Sequence, residues 1–386
     1  MTDAALATKT VRRLEYLDGL RALAALAVLI HHGWAMVFPP QLGVVPQGAL
    51  ALTTPAKFGP YGVAVFIILA GFSLTLAVTR TEGRLKTGAG TFLKRRAKRI
   101  LPPYYAALLL TIALQVLWLN QKTGTHWDLS VPLNWVGVVT NVLLVQDLMP
   151  FEVTNVAYTF WSIAVEWHIY FTFPILLIVW RRYGYLVATG AGVVFGIAGG
   201  YLALEVPQLA GVRFEFYALF ALGMGACAIA YLVPTWARRI PWLVVAALGV
   251  VMWAALAAFE APAFLSPVLD PNLAVGIATC GLLIAVAKKS EGKIGRALSW
   301  RPIARLGIFS YSLYLVHAPL LQVFWLLVVE PLNLGQGVAL AVIWAIAVPA
   351  IVGLAYLFHI VAERPFMNTR PAEAPSPRSL RRSRTA

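Results

Sequence analysis

The sequence predicts an all-α fold, a polytopic transmembrane bundle of about ten spans, and three observations predict it. The first is composition. Of 386 residues, 60% are hydrophobic and 12% are charged, and the mean hydropathy is +0.76. A soluble domain carries about 25% charged residues, so this chain has too few polar groups to coat a water-facing surface. A cytosolic enzyme, a secreted disulfide scaffold and a disordered chain are excluded. The second observation is that apolar runs of about 20 residues, the length that crosses a bilayer, recur from end to end. The third is the partition of positive charge, which is taken up after the spans.

The predicted span cores are 15–37, 60–79, 102–119, 160–180, 184–204, 214–233, 240–259, 271–287, 308–329 and 337–361. The first follows basic residues and resembles a signal peptide. It holds Arg21, His31 and His32 and lacks a small-residue cleavage site, so it reads as a retained helix. The second, from Gly59-Pro60 to Ser73, is rich in small residues that permit close helix packing. The third follows the densest charge run, Lys94 to Arg99. Its Pro102-Pro103 pair predicts a helix start. The fourth carries Pro174, which predicts a kink because proline cannot donate to residue 170. An eleventh stretch, 132–148, contains Asn134 and Asn141 and ends at Gln146-Asp147.

Charge decides how that stretch is read. With ten spans and the N-terminus inside, cytoplasmic segments hold all but four of the 31 Lys and Arg residues. The exceptions are Lys57, Lys122 and Arg213 in outer loops, and Arg21 within the first span. An eleventh crossing would reverse every later loop and put the cations outside, against the positive-inside rule. Residues 132–148 are therefore expected to be interfacial or re-entrant within an outer loop. The net charge of +15 is then a topology signal, with no nucleic-acid partner implied. The organisation reads as a cytoplasmic segment 1–14, a membrane domain 15–365 and a disordered basic tail 366–386. Cys227 and Cys280 lie inside apolar runs, with neither disulfide nor metal spacing. No internal repeat is visible.

Polar residues inside spans are few, and each costs at least about 2.5–3.5 kcal/mol at mid-bilayer if charged. Arg21 and His32 are eleven apart, close to three turns, so they share a face about 16 Å apart. Either His32 is a buried general base above Arg21, or Arg21 snorkels and pairs with Asp18 while His32 satisfies a neighbouring helix. Arg96 and Arg99 fit either a contact with anionic lipid headgroups or a phosphate clamp. Ser162, Glu166 and Tyr170 form an i, i+4 stripe, and a lone intramembrane Glu is a functional candidate. Ser310, Tyr314 and His317 share a face of the ninth span, beside Tyr311. The tenth span ends with His359, four residues before Glu363, and Glu363 and Arg364 at the inner interface fit a plain topology role.

Taken in order, these segments resemble the acyltransferase family 3 of bacterial integral membrane proteins, from about Tyr16 to Pro365. Arg21 and His32 match the family's Arg-x10-His motif, and Arg96 and Arg99 its Arg-x-x-Arg motif. Trp161, Ser162 and Glu166 match Trp-Ser-x-x-x-Glu. Ser310, Tyr311, Tyr314 and His317 match Ser-Tyr-x-x-Tyr-x-x-His. Two departures are Trp167, where a second acidic residue is usual, and Ala64 and Ala70, where Asp and Ser are usual.

The resemblance implies an O-acyltransferase in the bacterial cytoplasmic (inner) membrane. It would use acyl-CoA, most readily acetyl-CoA, as donor and a carbohydrate or other hydroxyl-bearing acceptor, without a metal. Within it, His32 and Glu166 are the expected catalytic pair. Arg21, Arg96 and Arg99 are expected to bind the CoA donor. Ser162, Tyr170, Ser310, Tyr311, Tyr314 and His317 are expected to line the cavity. No room is expected for the extracytoplasmic esterase-like domain that some relatives carry after the tenth span. The rival function is a transporter or exporter with an intramembrane proton relay, which would often show paired repeats.

Overall fold

A computed structural model describes residues 14–259, 262–288 and 292–367. Among them every regular element is helical. In chain order these are α1 (Glu15–Val37), α2 (Tyr61–Thr79), α3 (Gly88–Leu114), α4 (Trp135–Leu143), α5 (Trp161–Tyr183), α6 (Tyr185–Glu205) and α7 (Glu215–Leu232). There follow α8 (Trp242–Ala258), α9 (Pro271–Lys288), α10 (Lys293–Leu298), α11 (Arg301–Ile308), α12 (Ser310–Phe324), α13 (Gln336–Val342) and α14 (Val348–Phe358). Wider π-type turns extend α3 to Leu119 and α12 to Val329. Others join α13 to α14 and continue α14 to Glu363.

Nine of these helical stretches among the described residues are long and apolar enough to cross a membrane, and α8, at 17 residues, is a shorter apolar tenth. They coincide with the ten predicted cores. Residues 132–148 hold only the nine-residue α4. At 1.5 Å per residue α4 is too short to span, as the charge distribution requires.

One proline expectation is corrected. Pro102 and Pro103 lie inside α3, which begins at Gly88, not at a helix start. Residues 88–101 form helix before the prolines, carrying the basic run on the same helix as the span. α5 runs unbroken through Pro174 to Tyr183. A lone proline removes one hydrogen bond, which neighbouring helices in a bundle can offset. The expected N-terminal segment and the tail from residue 368 lie outside the described residues.

The architecture inverts the soluble pattern. Leu248, Val251, Val194 and Ile178 are all more than 60% exposed, with faces that suit lipid. The interior is closed by small residues instead. A Cβ added to Gly71 of α2 would stand 2.2 Å from the Phe220 carbonyl oxygen of α7, and one added to Gly223 of α7 would stand 2.2 Å from the Ile68 oxygen of α2. The two backbones therefore touch directly, as membrane helix pairs with small interfaces do. α1 is clasped on one flank by α2 and on the other by α11 and α12, and α3 and α5 complete the ring around its polar face. α8 packs on α9, and α6 on α7, at the periphery.

Candidate active site

A cavity of about 640 Å³ lies among α1, α2, α3, α5, α11 and α12 and the turn after α14. Gly307 makes its base possible: a Cβ there would fall 1.9 Å from the Asp18 carbonyl oxygen, so only glycine lets α11 lie this close to α1. Arg21 enters the cavity from α1. Its guanidinium donates to Asp18 Oδ1 at 3.0 Å and to Ser73 Oγ of α2 at 2.7 Å. The snorkelling pair with Asp18 and the cavity position are thus both present.

Arg96 and Arg99 line the same cavity from α3. Their i, i+3 spacing gives them one face. The Arg96 Nε is buried and has no acceptor. Such a donor suits an anionic oxygen, because guanidinium forks bind phosphate in a fixed planar geometry. Facing them on α5, Glu166 accepts a hydrogen bond from the Tyr170 hydroxyl, and Ser162 lies one turn earlier on the same wall. On α12, Ser310 donates to Gly307 O at 3.0 Å and Tyr311 to Ile100 O at 3.1 Å. The Tyr314 hydroxyl donates to Thr159 O at 3.1 Å and stands 2.6 Å from Ser162 Oγ.

His32 and His317 stand outside this lining. They lie behind Tyr314, whose ring centroid is 5.5 Å from that of His317. Their hydrogen bonds fix the proton positions. His317 Nδ1 is 2.7 Å from the Tyr314 carbonyl oxygen. That oxygen can only accept, so Nδ1 carries the proton and His317 Nε2 offers a lone pair. His32 Nδ1 lies 2.8 Å from this Nε2 and must donate to it. The remaining nitrogen, His32 Nε2, is then a free base, with no hydrogen-bond partner among the described residues. Both rings are buried. An imidazole oriented through one nitrogen and open at the other is the arrangement a general base needs.

Beyond His32 lies a cluster contributed by α1 and by the segments before α2 and after α3. His31 turns away to the Ala56 carbonyl at 3.1 Å. His126 Nδ1 bonds Gln41 Oε1 at 3.0 Å, its ring 5.8 Å from His32. Burial first, and the proximity of His31 second, push its pKa down to about 4, so it is neutral at physiological pH. Tyr158 meets both His32 and His126.

The cavity thus brings together Arg21, Arg96, Arg99, Ser162, Glu166, Tyr170, Ser310, Tyr311 and Tyr314, while His32 and His317 form a separate relay behind Tyr314. Sequence reasoning missed several participants. Ser73 holds Arg21. Glu363, which reads as an interfacial charge, is 1% exposed. It accepts from Ser312 Oγ at 2.6 Å and is bonded by His359 Nδ1 at 2.8 Å, on the wall of the same cavity. The i, i+4 spacing of His359 and Glu363 was the available signal. A further dyad, His168 Nδ1 to Asp147 Oδ2 at 2.9 Å, ties α5 to the α4–α5 segment. Among the described residues no cluster of three His, Cys, Asp or Glu could hold a metal ion.

Comparison with known proteins follows this geometry. A model described as an acyltransferase domain matches residues 14–360. A peptidoglycan O-acetyltransferase of Listeria monocytogenes is 24% identical, over 79% of this chain and 49% of its own. Nodulation protein 10 of Rhizobium leguminosarum is 27% identical, over 85% of this chain and 90% of its own. An O-acetyltransferase of Staphylococcus aureus is 24% identical, over 80% of this chain and 51% of its own. The chain thus spans about half the length of the Listeria and Staphylococcus relatives. No solved structure matches it.

Proposed function

The chain belongs to the acyltransferase family that this domain defines, and from that premise we propose that it is an integral-membrane O-acyltransferase. It takes an acyl group, most readily acetyl, from acyl-CoA and passes it to a hydroxyl of a carbohydrate or another hydroxyl-bearing acceptor. It works in the bacterial inner membrane. The carbohydrate acceptor is supported by relatives named for peptidoglycan.

One observation carries the reading. His32 has its Nδ1 committed to His317 and its Nε2 open, next to a cavity lined by four arginines, Arg21, Arg96, Arg99 and Arg364. A volume of about 640 Å³ falls within the range of small-molecule sites, about 300–1,000 Å³. In the reaction proposed, Arg96 and Arg99 hold the phosphates of the donor, and Arg21, pinned by Asp18 and Ser73, draws the negative charge inward. Glu166, tied to Tyr170, orients polar groups of the substrates across the cavity. The thioester end points toward Tyr314. Rotation of that side chain away from Ser162 joins the cavity to the space around His32. The acceptor arrives from the opposite side. His32 Nε2 takes its proton as the oxygen attacks, and His317 holds the imidazolium that forms. The His359–Glu363–Ser312 group fixes the lower wall.

The test is transfer by purified full-length protein in proteoliposomes, with radiolabelled acetyl-CoA and an envelope extract as acceptor source. His32→Ala abolishes transfer while the protein keeps its melting temperature; unchanged turnover removes His32 from the chemistry. Arg96→Ala raises the apparent KM for acetyl-CoA with kcat retained. A wild-type protein that moves no label from the donor refutes the acyltransferase reading.

A further inference from the structure

Tyr158 is not part of the donor cavity, yet it adjoins the base. It lies between α4 and α5, with its amide donating to Ser130 Oγ at 2.9 Å. Its ring meets His32 edge-on, with centroids 4.9 Å apart and planes at 64°, and meets His126 at 4.5 Å and 72°. The residue is 4% exposed, and its hydroxyl is buried without a hydrogen-bond partner. The neighbouring Thr159 Oγ1 is in the same condition. Its carbonyl, by contrast, is taken by Tyr314 and Ser162.

A buried hydroxyl with no partner is unfavourable, and most buried side-chain polar atoms have a partner. Here two adjacent residues leave theirs open, and the ring of one of them, Tyr158, packs against an imidazole whose Nε2 is also open. Donor and acceptor functions are both present and unfilled. Ring packing accounts for the aromatic body of Tyr158, and a phenylalanine would pack as well. It does not account for the hydroxyl.

We propose that the Tyr158 hydroxyl is a catalytic hydrogen-bond donor, reserved for the oxyanion that forms when the thioester carbonyl is attacked beside His32. The inference rests on the acyltransferase reading and adds to it a group that none of the motif positions supplies. The step balances as follows. The acceptor O–H gives its proton to His32 Nε2, and its oxygen forms a bond to the carbonyl carbon. The carbonyl π pair moves onto oxygen, which Tyr158 O–H then holds. Collapse restores the C=O and breaks the C–S bond, and the CoA thiolate takes the proton back from His32. A donor aimed at developing charge in a site shielded from water acts most strongly in the transition state.

Tyr158→Phe keeps the ring and deletes only the hydroxyl. In proteoliposomes with radiolabelled acetyl-CoA and envelope extract, kcat is expected to fall on the order of 10²–10³-fold, with KM for acetyl-CoA unchanged. Fluorinated tyrosines incorporated at position 158, which are stronger donors, should raise the rate in order of phenol acidity. That series keeps the ring and the hydroxyl, so it remains informative if the Phe variant folds poorly. A merely structural hydroxyl gives the opposite pattern: Tyr158→Phe with wild-type kcat and a higher melting temperature, and a rate indifferent to fluorination. That pattern overturns the proposal, and so does a raised acceptor KM at constant kcat. If the wild type is active, His32→Ala is dead and Tyr158→Phe is fully active, this inference alone falls. If the wild type transfers nothing, the acyltransferase reading falls and takes this one with it.

Discussion

At the scale of single residues, the site is organised by which nitrogen of each imidazole is already engaged. The Tyr314 carbonyl fixes the proton on His317 Nδ1, and that choice propagates through Nε2 to His32. Losing the middle ring should therefore disarm the outer one without touching the donor site. His317→Ala is expected to reduce kcat by about 10²-fold or more, the scale of positioned acid–base catalysis, with KM for acetyl-CoA unchanged; steady-state kinetics on the reconstituted enzyme check it. The motif positions on these helices were legible from spacing: Arg21 and His32 do share a face, as eleven residues of helix require. Spacing cannot show that a tyrosine from another helix stands between the histidine and the arginine-lined cavity, because that depends on the packing of α5 against α12. Nor can it reveal Tyr158 or Ser73, which lie in no motif and gain meaning only from what folds next to them.

At the scale of elements, helices were legible because hydrophobic length is a direct physical requirement of a bilayer. Their termini were less so. Pro102 and Pro103 predict a start, yet α3 begins at Gly88, since the basic turns before the prolines continue the same helix. The packing that brings elements together rests on glycines whose role is invisible until the partner backbone is known. Gly223→Val places side-chain atoms where the Ile68 carbonyl of α2 already sits. We expect α2 and α7 to part, at a cost of at least about 1–3 kcal/mol for overpacking. In detergent this should appear as a lowered melting temperature and a shift from the monodisperse peak toward aggregate on size-exclusion chromatography. The equivalent change at exposed Gly190, where an added Cβ meets nothing within 4 Å, serves as the control and should leave both measurements unaltered.

At the scale of the whole molecule, charge asymmetry sets a vectorial frame. If the positive-inside pattern governs insertion, the α5–α6 connection lies on the cytoplasmic face and Lys122 on the outer face. Cysteines introduced singly at these sites report it. Lys122→Cys should react with a membrane-impermeant maleimide in intact cells, and Arg182→Cys only after permeabilisation; the reverse pattern would invert the topology. The native thiols contribute little background, because Cys227 is fully buried and Cys280 is partly buried within α9. The frame also explains why the tenth span was only half understood from sequence. Glu363 and His359 were legible as polar residues near a helix end, but their burial against Ser312 depends on how α12 crosses the last helix.

The contact of Tyr314 with Ser162 and the Thr159 carbonyl has a bioenergetic consequence. It stands between the arginine-lined cavity and the imidazole pair. A catalyst whose two substrates meet across a lipid barrier must admit one small fragment without becoming a pore. Under the proposed reaction, with donor and acceptor arriving from opposite sides, a stopper at this contact would hold back ions and nucleotides at rest and so spare the transmembrane gradient.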